Sequence, residues 1–176
     1  MHCTVHVQLN TKSFRRFTLF DTFTLKKKWV SPCVFSLIFL FFSVLCFFFI
    51  HRDQSSLLGT VLLVVGLGLP AAYFLQFFLQ MHDQAKRFNL KKGRSVYTVE
   101  LDEQHVVVHN DMKKERTLDL KWKKLFAAWR VKDAIYLYAA PNHAFILPNG
   151  QTDCADDELW KLISTHMDPS KIHSKL

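Results

Sequence analysis

Several of the residues on which enzyme motifs depend are scarce in this chain. Glycine occurs five times in 176 residues, and the sequence contains no glycine-rich phosphate loop, no Walker motif and no nucleophile elbow. It also contains no CxxC pair, and a zinc site needs three or four converging ligands. The nine histidines do not supply them, because strand residues four apart, such as His105 and His109, lie roughly 13 Å from each other. We therefore predict no catalytic site, no cofactor and no metal.

Charged residues are missing from two long stretches. Residues 29–50 contain 22 consecutive uncharged residues, and residues 57–81 contain 25. Each stretch exceeds the ~20 helical residues that cross a hydrocarbon core of ~30 Å. A cleaved signal peptide is the alternative for the first stretch, but it begins too far into the chain, is too long, and is followed by a second apolar run instead of a small-residue cleavage site. The sequence predicts a transmembrane hairpin over residues 29–81.

The net charge of +8 is concentrated next to these two stretches. Residues 1–28 hold six basic side chains and one acid, residues 82–94 hold five and one, and the loop 51–56 is neutral. Short flanks rich in Lys and Arg stay on the cytoplasmic side, so we predict a multi-pass protein of the cell (inner) membrane with both termini in the cytoplasm. The same residues explain the basic pI without nucleic-acid binding, because they face anionic headgroups of the bilayer. The residues assigned to this role are Arg15, Arg16, Lys26, Lys27, Lys28, Lys86, Arg87, Lys91 and Lys92.

Asp, Glu, Lys, Arg and His are absent from both predicted spans, which favours an anchor over a transport pathway. Mildly polar groups such as Ser36 and Ser43 are expected to bond to backbone or to the partner helix. In the second span, small residues surround Pro70, which permits close helix packing and a kink. A kink can also serve as a hinge for signalling.

The four cysteines, Cys3, Cys33, Cys46 and Cys154, fall in the predicted cytoplasmic parts or inside the bilayer. We therefore expect no disulfide framework. Cys154 is expected to be an ordinary surface or packed thiol, and not a nucleophile. The acidic run 156–158 is explained by the start of a helix and needs no acid–base role.

Alternating apolar and polar residues after Gly93 predict six short strands. A C-terminal helix follows, with Asp153 as its N-cap and Leu159, Trp160, Ile163 and Met167 on one face. The predicted strands span residues 96–101, 105–109, 116–120, 126–131, 134–138 and 144–147.

The N-terminal region predicts one further strand, Thr4 to Gln8, and then a membrane-surface helix marked by Phe14, Phe17, Phe20 and Phe23. Our hypothesis is that Thr4 to Gln8 completes the sheet that the membrane hairpin interrupts. Seven antiparallel strands with a C-terminal helix follow the plan of pleckstrin-homology-like barrels. The predicted fold class is thus α+β: a two-helix transmembrane hairpin with a small antiparallel β-rich cytoplasmic domain and a C-terminal helix. The predicted divisions are 1–28, 29–81 (spans 29–50 and 57–81), a basic linker 82–94, the β-rich domain 95–168, and a tail 169–176.

The order of motifs from Tyr97 to Pro148 resembles the bacterial YcxB-like family of small membrane proteins. The residues that carry the resemblance are Tyr97, Val99, Leu101, Asp102, Leu120, Trp122, Ile135, Tyr136, Leu137, Tyr138, Ala144, Ile146, Leu147 and Pro148. The resemblance implies the pleckstrin-homology-like fold and supplies no catalytic residue.

One region combines aromatic and basic residues: Lys121, Lys123, Lys124, Trp129 and Arg130. It is a candidate surface for a lipid headgroup or an acidic peptide, although Trp122 beside it is expected in the core and Trp129 is as well suited to the core as to the surface. We predict a non-enzymatic module that binds a protein or lipid partner at the membrane. The alternative is a sensor or regulatory subunit that couples the state of the bilayer to the cytoplasmic domain through Pro70.

Overall fold

The computed structural model describes residues 2–49, 55–88, 90, 93–110 and 117–175. The chain forms two compact units. The first, the β unit, combines residues 1–17 with residues 89–176, and the second, the helical unit, comprises residues 18–88. The helical unit is therefore an insertion in the sequence of the β unit.

The β unit contains two four-stranded sheets. The first has the order β1-β2-β3-β4, with all neighbours antiparallel, and consists of β1 (Cys3–Leu9), β2 (Arg94–Leu101), β3 (His105–Asn110) and β4 (Thr117–Lys121). The second has the order β7-β6-β5-β8, and consists of β5 (Ala127–Val131), β6 (Ala134–Ala140), β7 (His143–Pro148) and β8 (Ile172–Lys175). Helix α1 (Thr11–Leu19) begins in this unit, and the 3₁₀ turns Trp122–Lys124 and Pro169–Lys171 precede β5 and β8. The C-terminal helix of the unit spans Asp156–His166. The α+β class and the antiparallel-rich sheets are confirmed.

The N-terminal strand joins the sheet that resumes after the insertion. β1 pairs with β2 from Cys3 opposite Leu101 to Leu9 opposite Arg94, which confirms the hypothesis made for Thr4 to Gln8. Alternate β1 side chains are buried because one face of the strand packs into the core. The other edge of β1 bonds to the segment after β7: the amide of His6 donates to the carbonyl of Gln151 at 3.0 Å. β1 thus has hydrogen-bonded neighbours on both sides.

The C-terminal region differs from its prediction in two ways. The predicted tail 169–176 contains β8, which runs parallel to β5. The predicted N-cap is also wrong, since Ala155 occupies that position and the Asp153 carboxylate instead accepts a hydrogen bond from the Thr4 amide at 2.7 Å. Asp153 lies three residues before the helix Asp156–His166, where the edge of β1 offers it a backbone N–H. Its carboxylate therefore bonds to β1 and not to the first turn of the helix. Arg116, the predicted start of the third strand, lies outside the described residues.

Tyr97 links the two sheets through backbone groups. Its hydroxyl accepts from the amide of Ile146 at 2.6 Å and donates to the carbonyl of the same residue at 3.0 Å. Tyr97 lies on β2 and Ile146 on β7. Burial raises the pKa of Tyr97 well above its ordinary value, because the phenolate would lose its hydration. The neutral hydroxyl is therefore the form that the core accommodates.

We predict that Tyr97→Phe lowers the stability of the β unit by about 1–3 kcal/mol, since Ile146 keeps a polar backbone group without its partner. Wild-type stability should also fall as the pH rises above ~10, because the folded pKa is raised and the unfolded chain ionises first. Urea unfolding of the full chain in detergent, followed by tryptophan fluorescence, measures both effects. The variant should lose part of the alkaline dependence, and the rest remains because burial also raises the pKa of Tyr136. A urea midpoint of the variant equal to that of wild type at neutral pH would contradict this account.

The helical unit contains a π-helical segment (Phe20–Leu25) and two long helices, α2 (Val30–Phe48) and α3 (Ser55–Arg87). In this numbering, the C-terminal helix Asp156–His166 of the β unit is α4. Both long helices are apolar and long enough to cross a membrane. In their most apolar windows, 17% and 11% of the residues are buried within the protein, whereas a core helix of a soluble protein is mostly buried. Helix α3 has 33 residues, or about 50 Å, and continues through Pro70.

Helices α2 and α3 pack through matched serine–glycine pairs. The Ser36 hydroxyl donates to the carbonyl of Gly66 at 2.5 Å, and the Ser43 hydroxyl donates to the carbonyl of Gly59 at 2.7 Å. Within α2 the two serines are seven residues apart, and within α3 the two glycines are also seven residues apart. This spacing keeps residues on the side of each helix that faces its neighbour. Ser36 and Ser43 therefore bond to the partner helix, as the sequence predicts, and the glycines permit the close approach.

Gly66 and Gly68 offer a matched test of this seam. A Cβ at Gly66 would lie 3.2 Å from Leu40 and 3.3 Å from Phe39, whereas a Cβ at Gly68 meets nothing within 4 Å. Gly66→Ile should destabilise the hairpin by about 1–3 kcal/mol relative to Gly68→Ile, which carries the same change in helix propensity. Detergent-induced unfolding followed by circular dichroism compares the two. Equal losses would show that the seam is not packed in this way.

Candidate functional site

The lysines of the predicted binding surface lie in one exposed segment. Lys121 ends β4, and Lys123 and Lys124 occupy the 3₁₀ turn that follows, all with exposed side chains. The ammonium group of Lys171 reaches the carbonyls of Lys123 at 3.4 Å and Leu125 at 3.1 Å, so a fourth basic residue joins them. We call Lys121, Lys123, Lys124 and Lys171 the lysine cluster. The contribution of Lys171 comes from the parallel placement of β8, which local sequence patterns do not indicate.

Trp129 and Arg130 are successive residues of β5, so their side chains point to opposite faces of the sheet. Trp129 stacks on His173 of β8, with ring centroids 4.2 Å apart. Arg130 forms an ion pair with Asp157 of α4 and lies 5.8 Å from the ring centroid of Trp160. The charge of Arg130 is therefore balanced within the protein, and the two residues do not present one common surface.

Strand β4 is the last strand of the first sheet among the described strands. Its side chains are more exposed than those of β3: Thr117, Leu118 and Asp119 are all exposed, and Leu118 keeps 46% of its surface accessible. An edge strand presents backbone donors and acceptors that an extended peptide can pair with. Lysines next to such an edge either discourage edge-to-edge pairing or select an acidic partner.

A shallow groove of about 560 Å³ lies beside the lysine cluster. Its walls include Lys123 and Lys171, the buried Trp122, and Asp168. The amide and hydroxyl of Ser170 both donate to Asp168 and lower the pKa of this carboxyl group. The groove therefore has both positive and negative side chains in its walls. Such a lining favours binding of a polar peptide over binding of an apolar ligand.

Trp122 lies in the core, as predicted. Only 5% of it is exposed, its indole N–H donates to the carbonyl of Asp102 at 2.9 Å, and its ring stacks on His166. The Asp102 carboxylate accepts from the amides of His105 and Gln104, which lowers its pKa. These interactions shape the turn between β2 and β3.

Cys3 and Cys154 form a disulfide, with Cα atoms 5.8 Å apart. The expectation of no disulfide is wrong for this pair, and Cys154 is not a thiol. Among the described residues, the group that could hold a metal is Cys3, Asp153 and Cys154, but the two sulfurs are bonded to each other. The expectation rested on the predicted cytoplasmic location of both cysteines, and their separation of 151 residues gives no local sign of the pair. Hydrogen bonds between β1 and residues 151–153 bring the two cysteines together.

The predicted membrane-proximal basic residues have different surroundings. Arg16 forms an ion pair with Asp133 in the turn between β5 and β6. Lys26 lies 2.7 Å from the carboxylate of Asp21. Exposed side chains are found at Arg15, Lys27, Lys28, Lys86 and Arg87, while Lys91 and Lys92 lie outside the described residues.

Comparison with protein-family models, curated proteins and solved structures finds no match to this chain. The resemblance to the YcxB-like family therefore stays a prediction from the residues quoted above. Several of those residues are core residues in the structure, among them Val99, Leu101, Trp122, Tyr136 and Tyr138. They are explained by packing and by the Tyr97 contact between the sheets, and they point to no active site.

We predict that protein purified without reductant, denatured and alkylated, carries label on two cysteines, because Cys33 and Cys46 are the free thiols among the four. Reduction before alkylation should raise the number to four. Intact mass spectrometry measures the count.

Cys3→Ser should lower the free energy of unfolding of the β unit by about 2–4 kcal/mol when no reductant is present. With reductant, wild type and Cys3→Ser should have the same stability, because neither then has the bond. If the variant is less stable by the same amount in reductant, the disulfide is not the cause of the loss.

Proposed function

We propose that this chain is a non-enzymatic two-span membrane protein whose β unit binds a partner protein at the cytoplasmic face. The observation that carries the proposal is the pairing of β1 with β2. A strand that precedes the helical hairpin and a strand that follows it are neighbours in one sheet, so both ends of the hairpin must emerge on the same side of a bilayer. The two apolar, serine–glycine packed helices then act as an anchor.

The charge distribution supports the cytoplasmic side for the β unit. The flanks 1–28 and 82–94 carry +5 and +4, whereas the loop 51–56 is neutral. The Cys3–Cys154 disulfide favours the opposite side, because a disulfide persists mainly in oxidising compartments, and the proposal follows the charge distribution instead. The flanking lysines and arginines, and not the cysteines, determine topology in this proposal.

A matched pair of single cysteines tests this orientation. In a background with Cys3, Cys33, Cys46 and Cys154 replaced by Ser, Ser56→Cys at the start of α3 should react with a membrane-impermeant maleimide in intact cells. Lys132→Cys, in the exposed turn between β5 and β6, should react only after permeabilisation. The opposite pattern would place the β unit outside, and labelling of both residues in intact cells would exclude a membrane hairpin.

The order of elements supports the predicted pleckstrin-homology-like plan, and with it a binding role. One sheet contains β1 to β4, the next contains β5 to β7, and α4 follows. The addition here is β8, parallel to β5. On the first sheet, the Thr117 hydroxyl lies 3.3 Å from Nδ1 of His109, and Nε2 of His109 lies 3.6 Å from the Glu100 carboxylate. We assign these exposed cross-strand contacts to the polar face of the sheet. The exposed feature beside them is the β4 edge with the lysine cluster.

The partner that this surface fits is an extended acidic segment of another protein. Such a segment would add to the β4 edge through backbone hydrogen bonds, and its carboxylates would face the lysine cluster. Lys121, Lys123 and Lys124 are exposed, so they remain accessible to such a segment. The exposed Leu118 on the strand supplies an apolar contact at the same edge.

A photo-reactive amino acid in place of Asp119 on β4 should capture a discrete protein in cells. Reversal of charge at Lys121, Lys123 and Lys124 to Glu should reduce that capture roughly tenfold, as expected for three exposed pairs worth ~0.2–1 kcal/mol each. The matched control reverses Lys132, Lys161 and Lys175, three exposed lysines on other elements, and should leave capture unchanged. Equal losses in both triple variants would reject the lysine cluster as the binding surface.

A further inference from the structure

The helical unit contains a polar cavity at the boundary of its apolar segment. The cavity has a volume of about 370 Å³, within the ~300–1,000 Å³ range of ligand sites. One wall is a face of α3 and the other is formed by residues of the segment 18–28. The polar side chains in it include Thr22, Lys28, Gln76, Gln80 and Gln84.

The three glutamines form a polar row on α3, and a helix that served only as a membrane anchor would not need such a row. Gln76, Gln80 and Gln84 are four residues apart, so they lie on one face of α3. The neighbouring residues 74, 75, 77, 78 and 79 are all Phe or Leu. No hydrogen bond joins the three side-chain amides to another described residue. They are therefore available as donors and acceptors toward a ligand.

Lys28 supplies a positive charge to this cavity. It is exposed, and no carboxylate lies within ion-pair distance of it among the described residues. Lys26, by contrast, is already paired with Asp21. Lys28 precedes the start of α2 by two residues, which places its ammonium group where the chain enters the apolar segment. A single unpaired ammonium group at the end of the apolar segment can form an ion pair with one lipid phosphate group.

An apolar groove of about 710 Å³ adjoins the cavity. Lys28, Tyr73 and Gln76 line both, so the two spaces meet at these residues. The groove continues along the two long helices, lined by Phe35 and Phe39 of α2 and by Leu69 and Ala72 of α3. A polar cavity with one cation that opens into an apolar groove has the two-part character of a phospholipid, with a headgroup and an acyl chain.

We infer that the helical unit binds one glycerophospholipid with an anionic, hydroxyl-bearing headgroup, for which phosphatidylglycerol is the probe. The lipid phosphate lies at Lys28, the headgroup hydroxyls bond to the amides of Gln80 and Gln84, and one acyl chain occupies the groove. This inference rests on the membrane insertion contained in the proposed function. A choline headgroup fits less well, because it has no donor for the three amides and adds a second cation beside Lys28.

The structure offers two matched pairs of variants. Lys28→Gln removes the cation of the cavity, and Lys27→Gln removes an adjacent exposed lysine that does not line it. Ala72→Phe fills the groove, whereas Ala71→Phe places the same bulk on a neighbouring exposed residue outside the groove lining. Each control makes the same chemical change one residue away.

The experiment is native mass spectrometry of the full-length protein, extracted in mild detergent and exchanged into mixed micelles with equal phosphatidylglycerol and phosphatidylcholine. Wild type should retain one phosphatidylglycerol per chain. Lys28→Gln should reduce retention about fivefold, equivalent to the ~1 kcal/mol of one basic residue near a charged surface, and Ala72→Phe should abolish it. Lys27→Gln and Ala71→Phe should retain the lipid as wild type does.

The other outcomes overturn the inference. Equal retention of phosphatidylcholine, equal losses in Lys28→Gln and Lys27→Gln, or a second copy of this chain in place of lipid would each reject the site. Resistance of every variant to carbonate extraction from membranes is measured in parallel. Variants that insert but bind no lipid reject the lipid site alone, whereas wild-type protein released by carbonate rejects the membrane insertion on which both proposals rest.

Discussion

The hydrogen bonding of β1 to β2 is the constraint on which the rest of the structure depends. Leu9 at the end of the first strand faces Arg94 at the start of the second, so the chain between them must leave the sheet and return to it. The two long helices α2 and α3 lie within that stretch of chain. The same strand bonds on its other edge to residues 151–153. A short N-terminal strand thereby connects the inserted helices, the first sheet and the start of α4.

The two helices combine a packed seam with a polar row. Ser36 and Ser43 satisfy their hydroxyls on carbonyls of α3, in places where a glycine lets the backbones approach. The glutamines farther along α3 have a different character, because they line a cavity with Lys28 instead of bonding across the hairpin. An anchor needs the first feature only. The second is the reason for the proposed lipid site, in addition to the proposed partner surface of the β unit.

Local patterns predicted most of the elements and part of the site. Alternation of apolar and polar residues located β2 to β7 within a few residues, because a half-buried strand imposes that alternation. The sequence located Lys121, Lys123 and Lys124 as an exposed segment but not Lys171. It also gave Trp129 and Arg130 as members of one surface, although adjacent strand residues face opposite ways. β8 was missed because its four residues, Ile172 to Lys175, have too little apolar alternation to be recognised. The cap at Asp153 was wrong because a distant strand provides its partner.

The sequence by itself determined the two apolar helices, the alternating strands and the concentration of positive charge beside the apolar segments, since each follows from the composition of neighbouring residues. Only the tertiary structure decided which distant residues meet. The Cys3–Cys154 bond, the Arg130–Asp157 ion pair, the Tyr97 bridge to Ile146 and the cavity around Lys28 all join parts of the chain that are far apart in sequence. The return of the chain to β1 brings Cys3 to Cys154, and the packing of residues 18–28 on α3 forms the cavity. No local pattern contains contacts of this kind, because they depend on how distant segments pack.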